Sequence, residues 1–370
     1  MNVAILGNVP FLRRLTAEYA ESRDHRVVYS QQAWEQFDLD ALRDLSVDTL
    51  VLGGPENDTC LLRVIESIKA FEGTSLLIHP LTNAVFTAYE VERLAGDAVG
   101  KIVPLFPLLC SPMARALQQA IVGLEENIFS GLGQIERVEM ERALATDPEQ
   151  TVFETFTQDA TLLSLATGPM NEIVAMRLGD EPVPLNVQCA SRSGGLVRWS
   201  ALRSFQDDAA AHLRIEGSAG RCELQLDASG QWTVKAAGGE QIFPADNLMA
   251  QCAAADSDSL ADWRAVTHSL EVREAAEKSL KRGRLVRLNL DGRGERTAFK
   301  GTMASLGCGL LLGGLFLMIV SAFILSFSDA AGLGRFTQWI SKLPWVLAGL
   351  MLLFLLIQLF ALVIPRGGED

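Results

Sequence analysis

Short apolar runs alternate with amphipathic segments from residue 1 to about residue 107. Between two of these runs, apolar residues recur every three or four positions from Cys60 to Phe71, which indicates one buried face of a helix. Pro112 begins a further helical stretch, since proline fits the first turn of a helix. The alternation predicts an α/β domain whose parallel sheet is covered by helices on both faces. The predicted strands are Val3–Leu6, Arg26–Ser30, Thr49–Gly53, Ser75–Ile78 and Lys101–Phe106.

The first predicted strand ends in a turn that resembles the start of a dinucleotide-binding domain. Val3–Leu6 is followed by Gly7, and Pro10 suits the start of a helix. The glycine pattern of such turns is G-x-G-x-x-G, and here Val9 and Leu12 occupy the second and third glycine positions. We therefore expect a Rossmann-like, doubly wound domain over residues 1–125 with a degenerate cofactor turn.

The pattern changes from about Gly131, where short strand-like runs are separated by Gly, Asp and Pro. Helices are predicted near Asp159–Thr167 and over Ser259–Lys281, and a closing strand over Arg284–Leu290. The chain from 126 to 292 is therefore predicted to form an α+β domain with an open, mainly antiparallel sheet. Its predicted strands are Ile135–Val138, Ile173–Leu178, Val183–Cys189, Leu196–Leu202, Leu213–Ile215, Cys222–Leu226 and Trp232–Val234.

The last part of the chain, residues 293–370, predicts a two-helix transmembrane hairpin. Residues 303–327 and 343–364 carry no charged side chain, and each run is long enough to cross a hydrocarbon core of about 30 Å. Lysine and arginine flank the pair of runs more densely than the loop between them. The sequence therefore predicts a multi-pass inner-membrane protein with both termini in the cytoplasm and the lipid bilayer as a partner.

Composition narrows the classes of function. A formal net charge of -13 argues against a nucleic-acid partner, because phosphate backbones require a basic surface. The six cysteines and four histidines are scattered, which predicts neither a metal site nor a disulfide framework. The N-terminus lacks the pattern of a cleavable signal peptide.

Several local stretches occur in the order known from one enzyme family. They are Ile78-His79-Pro80-Leu81, Gln158–Leu163, Leu213–Gly220, and Ala275–Ser279 before Gly283. On these stretches, which together cover roughly residues 1–290, the chain resembles the Gfo/Idh/MocA oxidoreductases. The corresponding family motifs are Glu-Lys-Pro-Leu, a His-Asp-x-Asp-Leu-Leu helix, a strand with a Gly-Thr-x-Gly turn, and the last helix and strand; the hairpin lies outside that resemblance.

The resemblance implies catalytic positions, and this chain departs from the family at each of them. His79 stands in place of the family's lysine and is either a general acid or base or a structural histidine bonded to backbone. Gln158 replaces the family's histidine and cannot transfer a proton at ordinary pH. Asp159 matches the following aspartate, and it either orients a substrate hydroxyl or caps a helix that starts there.

The resemblance also implies NAD or NADP as cofactor, with a weakened set of contacts and no metal. Val9 places a β-branched side chain where the backbone would approach the pyrophosphate. The second strand ends at Ser30 without the carboxylate that holds the ribose. The candidate cofactor-binding residues are Gly7, Asn8, Val9, Ser30, Gly54, Pro55 and His79.

Two functions follow from these observations. The first is a membrane-anchored member of this structural type with a degenerate catalytic site and a binding or assembly role. The alternative is an active NAD(P)-dependent oxidoreductase on a sugar- or polyol-like substrate, with His79 as acid/base and Asp159 in support. A transporter is disfavoured because the apolar runs hold no intramembrane charge. The resemblance further implies a homo-oligomer that pairs through the second-domain sheet.

Overall fold

The computed structural model divides the chain into two compact units, Met1–Leu288 and Asn289–Asp370. The first unit holds both sheets. The residues that the structure describes are 1–7, 9–22, 25–32, 39–53, 58–78, 84–123, 126–144, 148–177, 179, 181–205, 209–244, 252, 262–288 and 316.

The helices and strands follow in chain order. The helices are α1 (Pro10–Glu21), α2 (Leu39–Asp44), α3 (Asp58–Ile68), α4 (Val85–Gly96), α5 (Pro112–Val122), α6 (Glu149–Thr167) and α7 (Trp263–Arg282). The strands are β1 (Asn2–Gly7), β2 (Arg26–Gln31), β3 (Thr49–Gly53), β4 (Thr74–Ile78), β5 (Lys101–Leu105), β6 (Ile135–Ala143), β7 (Met170–Arg177), β8 (Leu185–Ser191), β9 (Leu196–Leu202), β10 (Ala211–Gly217), β11 (Arg221–Leu226), β12 (Trp232–Ala236), β13 (Gly239–Phe243) and β14 (Val286–Arg287).

Strands β1 to β5 form a parallel sheet in the order β2-β1-β3-β4-β5. Alternate residues of β1 enter two different cores, with Ala4 and Leu6 on one face and Val3 and Ile5 on the other. Such burial on both faces explains why the strand reads as a continuous apolar run. The predicted parallel, Rossmann-like sheet is confirmed.

The second sheet has nine strands in the order β13-β12-β11-β10-β6-β9-β8-β7-β14. Neighbouring strands are antiparallel except β6 and β9, which pair in parallel. The prediction of an open, mainly antiparallel sheet is therefore confirmed.

Helix α7 contacts both sheets of the first unit. At its start, Nε1 of Trp263 donates a hydrogen bond of 2.8 Å to the carbonyl of Ile102 in β5. Farther along, Nε2 of His268 accepts from the backbone N–H of Met170 at 3.0 Å. One helix thereby ties the edge strand of the parallel sheet to β7 of the mixed sheet.

Some predicted boundaries need correction. Helix α6 begins at Glu149, well before the predicted start near Asp159. Within the described part of the predicted closing strand over Arg284–Leu290, residues 284–288, the strand spans Val286–Arg287. Strand β13 was not predicted, because the exposed run Gly-Glu-Gln-Ile-Phe shows no clear alternation of apolar and polar residues.

The prediction of a multi-pass inner-membrane location is contradicted by the described structure. None of the helices among the described residues has both the length and the apolar character needed to cross a bilayer. The two predicted spans, 303–327 and 343–364, lie outside the described residues apart from Phe316. The hairpin and its contact with lipid are therefore not carried into the functional argument.

Candidate functional site

The order of the parallel sheet creates a crevice at the carboxyl ends of β1 and β3. The chain leaves β1 for β2 on one side and then crosses to β3 on the other. Open α/β sheets bind ligands at such a topological switch point. Gly7 and Gly53, the last residues of these two strands, lie opposite each other in the register.

The backbones at the switch point approach each other closely. Gly7 has φ +118°, and a Cβ on it would lie 1.9 Å from the carbonyl oxygen of Gly53. A Cβ on Gly53 would in turn lie 2.7 Å from Cδ1 of Ile78 and 3.0 Å from Cγ2 of Val9. Gly7 therefore requires glycine, because its φ is positive and a Cβ would meet backbone, whereas a Cβ on Gly53 would meet the ends of apolar side chains that line the crevice.

The amino end of α1 opens at this crevice. Val9 is the N-cap residue, with extended backbone and no side-chain capping bond. Pro10 has no N–H, so the first turn offers the N–H groups of Phe11 and Leu12. Peptide N–H groups at such a position favour a negatively charged ligand group. The turn thus retains part of a phosphate-binding geometry.

The end of β2 carries uncharged polar groups at the place where a ribose would be held. Ser30 pairs with Ile5 and is exposed, and Gln31 pairs with Leu6 and is half-buried. A hydroxyl and an amide can each bond to a ribose hydroxyl. Neither group repels a phosphate on the ribose as a carboxylate would.

Four candidate residues, Asn8, Gly54, Pro55 and His79, lie outside the described residues. Gly53 and Ile78, which end the adjacent strands β3 and β4, directly precede Gly54 and His79 in the chain. The assignment of Gly54, Pro55 and His79 to a site at this edge of the sheet stays a prediction.

Asp58 joins the starts of α3 and α4, beside the ends of β3 and β4. Its Oδ2 accepts from the Thr87 hydroxyl at 2.7 Å and from the backbone N–H of Ala84 at 3.4 Å. Ala84 is the N-cap of α4 and has no side-chain acceptor of its own, so Asp58 caps this helix from a neighbouring element. Sequence patterns missed this contact, because capping motifs are sought within one segment.

Asp159 fills neither of the two roles that the sequence left open. It lies in the middle of α6, fully buried, so it does not cap the start of a helix. Its Oδ1 accepts from Nη2 of Arg142 at 2.5 Å, and its Oδ2 accepts from Nε of the same guanidinium and from Nε1 of Trp199, both at 2.8 Å. The carboxylate is therefore satisfied by β6 and β9 and is not presented to a substrate.

The buried ion pair also alters the arginine. Burial acts to lower the pKa of Arg142, but the charge and hydrogen bonds of Asp159 outweigh it and raise the pKa above its ordinary value. Arg142 lies on β6 and Trp199 on β9, so the residue spacing within α6 could not predict their contacts with Asp159. The neighbouring Gln158 is half-buried, and its amide can offer a hydrogen bond but no proton transfer.

The residues at the switch point fit a dinucleotide in part. The close approach at Gly7 and Gly53 and the amino end of α1 suit a pyrophosphate, whereas the described end of β2 gives the ribose a hydroxyl and amides in place of a carboxylate. Among the described residues, no group of three or more His, Cys, Asp or Glu side chains is arranged to hold a metal ion.

Comparisons with known proteins bear on this fold. No protein-family model and no curated protein matches the sequence. Solved structures do match in fold. A myo-inositol dehydrogenase from Corynebacterium glutamicum is 15% identical with a TM-score of 0.58, and it matches over 78% of this chain and 99% of its own. The aldose-aldose oxidoreductase from Caulobacter crescentus, complexed with glycerol, is 14% identical with a TM-score of 0.61, over 78% of this chain and 99% of its own.

A third similar structure contains a cofactor. It is an oxidoreductase from Agrobacterium radiobacter in complex with NAD⁺, L-tartaric acid and magnesium, 11% identical with a TM-score of 0.57 over 78% of this chain and 98% of its own. These neighbours are oxidoreductases of the Gfo/Idh/MocA type, so the chain has the fold that its motifs resemble. At this level of identity the likeness concerns the fold alone.

Proposed function

We propose that the chain is an NAD(P)-dependent oxidoreductase that acts on a hydroxylated small molecule of the sugar or polyol class. The observation that carries the proposal is the topological switch point at Gly7 and Gly53, in a fold shared over nearly the whole length of oxidoreductases of which one holds NAD⁺. This agrees better with the active alternative drawn from the sequence than with a protein that has only a binding role.

Each residue of the proposed site has a separate role. A bound nicotinamide cofactor supplies a hydride acceptor or donor. The turn at Gly7 and the first N–H groups of α1 would hold its phosphates, and Ser30 would bond to a ribose hydroxyl. His79 takes the proton from the substrate hydroxyl. Asp159 is not part of this scheme, because its oxygens are bound to Arg142 and Trp199.

The test is a titration of the full chain with NAD⁺ and NADP⁺, read by thermal shift, followed by assays of dinucleotide reduction with inositol and aldoses. We expect a rise in the melting temperature, because a ligand that binds only the folded state stabilises it. His79→Ala should lower turnover about 10²-fold or more while the thermal shift persists. Absence of a shift with both dinucleotides would refute the proposal.

A specific observation favours a second candidate, a binding module without redox chemistry. Val9 and Ile78 pack on the backbone of Gly53 inside the crevice, and the aspartate that matches the family motif is used within the fold. If the chain binds no dinucleotide yet forms stable complexes with another macromolecule or small ligand, this second function replaces the first.

We further propose that two copies of the chain pair through the second sheet. Helices α6 and α7 pack on one face, and the other face carries cross-strand ion pairs such as Arg214 with Glu139 and Glu223. Light scattering should give a dimer. Arg214→Glu would place three acidic side chains together on this face and weaken the association of the two copies. Arg93→Glu on α4 should not weaken that association. A monomeric parent chain rules this pairing out.

A further inference from the structure

A cavity of about 810 Å³ lies between the first turns of α6, the end of β7 and the last turns of α7. Its described lining residues all come from these three elements, and none comes from the parallel sheet. The volume lies within the range of about 300–1,000 Å³ that is typical of small-molecule sites. The described lining residues are Glu149, Gln150, Phe153, Glu154, Arg177, Arg273, Glu277, Leu280 and Lys281.

The arginines of this cavity and their carboxylate partners differ in how far their side chains are exposed to solvent. The side chain of Arg177 is only 18% exposed, whereas that of Glu149, its ion-pair partner at 2.6 Å, is 56% exposed. The side chain of Arg273 is 13% exposed against 36% for Glu277. The two guanidinium groups therefore belong to the wall, and their partners Glu149 and Glu277 stand nearer to solvent, where a competing anion can displace them.

One of these guanidinium groups keeps an unused donor. Nε of Arg177 is buried and has no hydrogen-bond partner among the described residues. A buried N–H group without an acceptor is unfavourable, because it has lost its hydrogen bond to water without gaining another. The planar guanidinium offers two parallel N–H groups, which match the two oxygens of a carboxylate or phosphate. Phe153 adds a buried apolar surface beside them.

We infer that this cavity binds a small anion that bears a carboxylate or phosphate group, with Arg177 as the main contact and Arg273 and Lys281 in support. The incoming oxyanion takes the place of Glu149 at the Arg177 guanidinium. The site does not depend on a dinucleotide, and its occupation involves binding only, without chemistry.

The experiment is calorimetric titration of the full chain with citrate and with inorganic phosphate, without dinucleotide and at ionic strength held constant with sodium chloride. We expect saturable binding of at least one of the two anions. Citrate alone identifies a carboxylate ligand, phosphate alone a phosphate ligand, and both identify a general oxyanion site. No saturable binding of either anion overturns the inference.

Variants separate this site from general charge effects. Arg177→Gln should weaken binding about tenfold, since a charge-assisted pair is lost. Glu149→Gln removes the competing carboxylate and should strengthen binding several-fold. Because this variant keeps the buried arginine, it still tests the site if Arg177→Gln does not fold. Lys278→Gln is the matched control, because Lys278 lies on the same helix, 52% exposed and paired with Glu274. Equal affinity in the parent and in both the Arg177 and Glu149 variants would contradict the assignment. Because no dinucleotide is present, the result is independent of the proposed oxidoreductase activity.

Discussion

The hydroxyl of Tyr89 donates a hydrogen bond of 2.7 Å to Oε1 of Glu271, a residue 182 positions away in sequence, and so joins two helices. Tyr89 belongs to α4 beside the parallel sheet, and Glu271 belongs to α7, which packs on the mixed sheet. The side chain of Glu271 is 16% exposed. A hydrogen bond to a charged, largely buried acceptor is stronger than one on the surface.

Tyr89→Phe tests the strength of this link. The substitution leaves the ring in place and removes one donor from Glu271, so we expect a loss of about 1–3 kcal/mol in the free energy of unfolding. Urea denaturation measures it. Tyr29→Phe is the matched control, because Tyr29 is half-buried in β2, and it should change the free energy of unfolding by less than about 0.5 kcal/mol. Equal effects of the two substitutions would show that the hydroxyl of Tyr89 contributes no more to stability than that of Tyr29.

The pair of Arg142 and Asp159 predicts a larger, non-additive effect. Arg142→Met leaves a fully buried carboxylate without its cation, which should destabilise the protein by about 3–5 kcal/mol. Arg142→Met combined with Asp159→Leu removes both charges and should be less destabilising than the sum of the two single substitutions. Urea unfolding of the four proteins gives the coupling energy. Additive losses would mean that the two side chains do not act as a pair.

The role of Asp159 marks the limit of what local sequence patterns could predict. The strands of the parallel sheet were predictable because burial on both faces leaves a continuous apolar run that ends in a turn, as at Gly7 and Gly53. The contacts of Asp159 depend on β6 and β9 lying side by side in parallel. The spacing of apolar and polar residues within a single segment cannot predict that pairing. The start of α6 was missed because its first turn, Glu149-Gln150-Thr151, is polar and its N-cap residue Pro148 makes no side-chain capping bond.

Buried thiols predict how stability depends on alkaline pH. Burial raises the pKa of Cys189 from 9.0 to about 12, and burial is also the main cause of the same rise at Cys222. The unfolded chain releases these protons near its ordinary pKa, whereas the folded chain keeps them, so the free energy of unfolding should fall as pH rises from 9.0 towards about 12. Below pH 9.0 this contribution is fully present.

The measurement is the urea midpoint at a series of pH values. Cys189→Ala should flatten the decline above pH 9.0, because it removes one of the protons involved. Cys60→Ala is the control, since Cys60 is only half-buried in α3. If both variants keep the slope of the parent, the buried thiol of Cys189 does not set the alkaline limit.

The last prediction concerns Val9, whose Cγ2 would lie 3.0 Å from a Cβ on Gly53 at the switch point. Val9→Ala removes the methyl groups that narrow the crevice and keeps a Cβ, so the amino end of α1 is preserved. We expect dinucleotide affinity to rise about tenfold and the thermal shift at a fixed cofactor concentration to grow accordingly, since stabilisation follows the ratio of concentration to Kd. Val103→Ala removes the same atoms from a half-buried valine of β5 that packs against the same core, and it should leave affinity unchanged. Weaker binding in Val9→Ala than in Val103→Ala would show that Val9 contacts the cofactor favourably, and the crevice would then be formed for a dinucleotide with its valine in place.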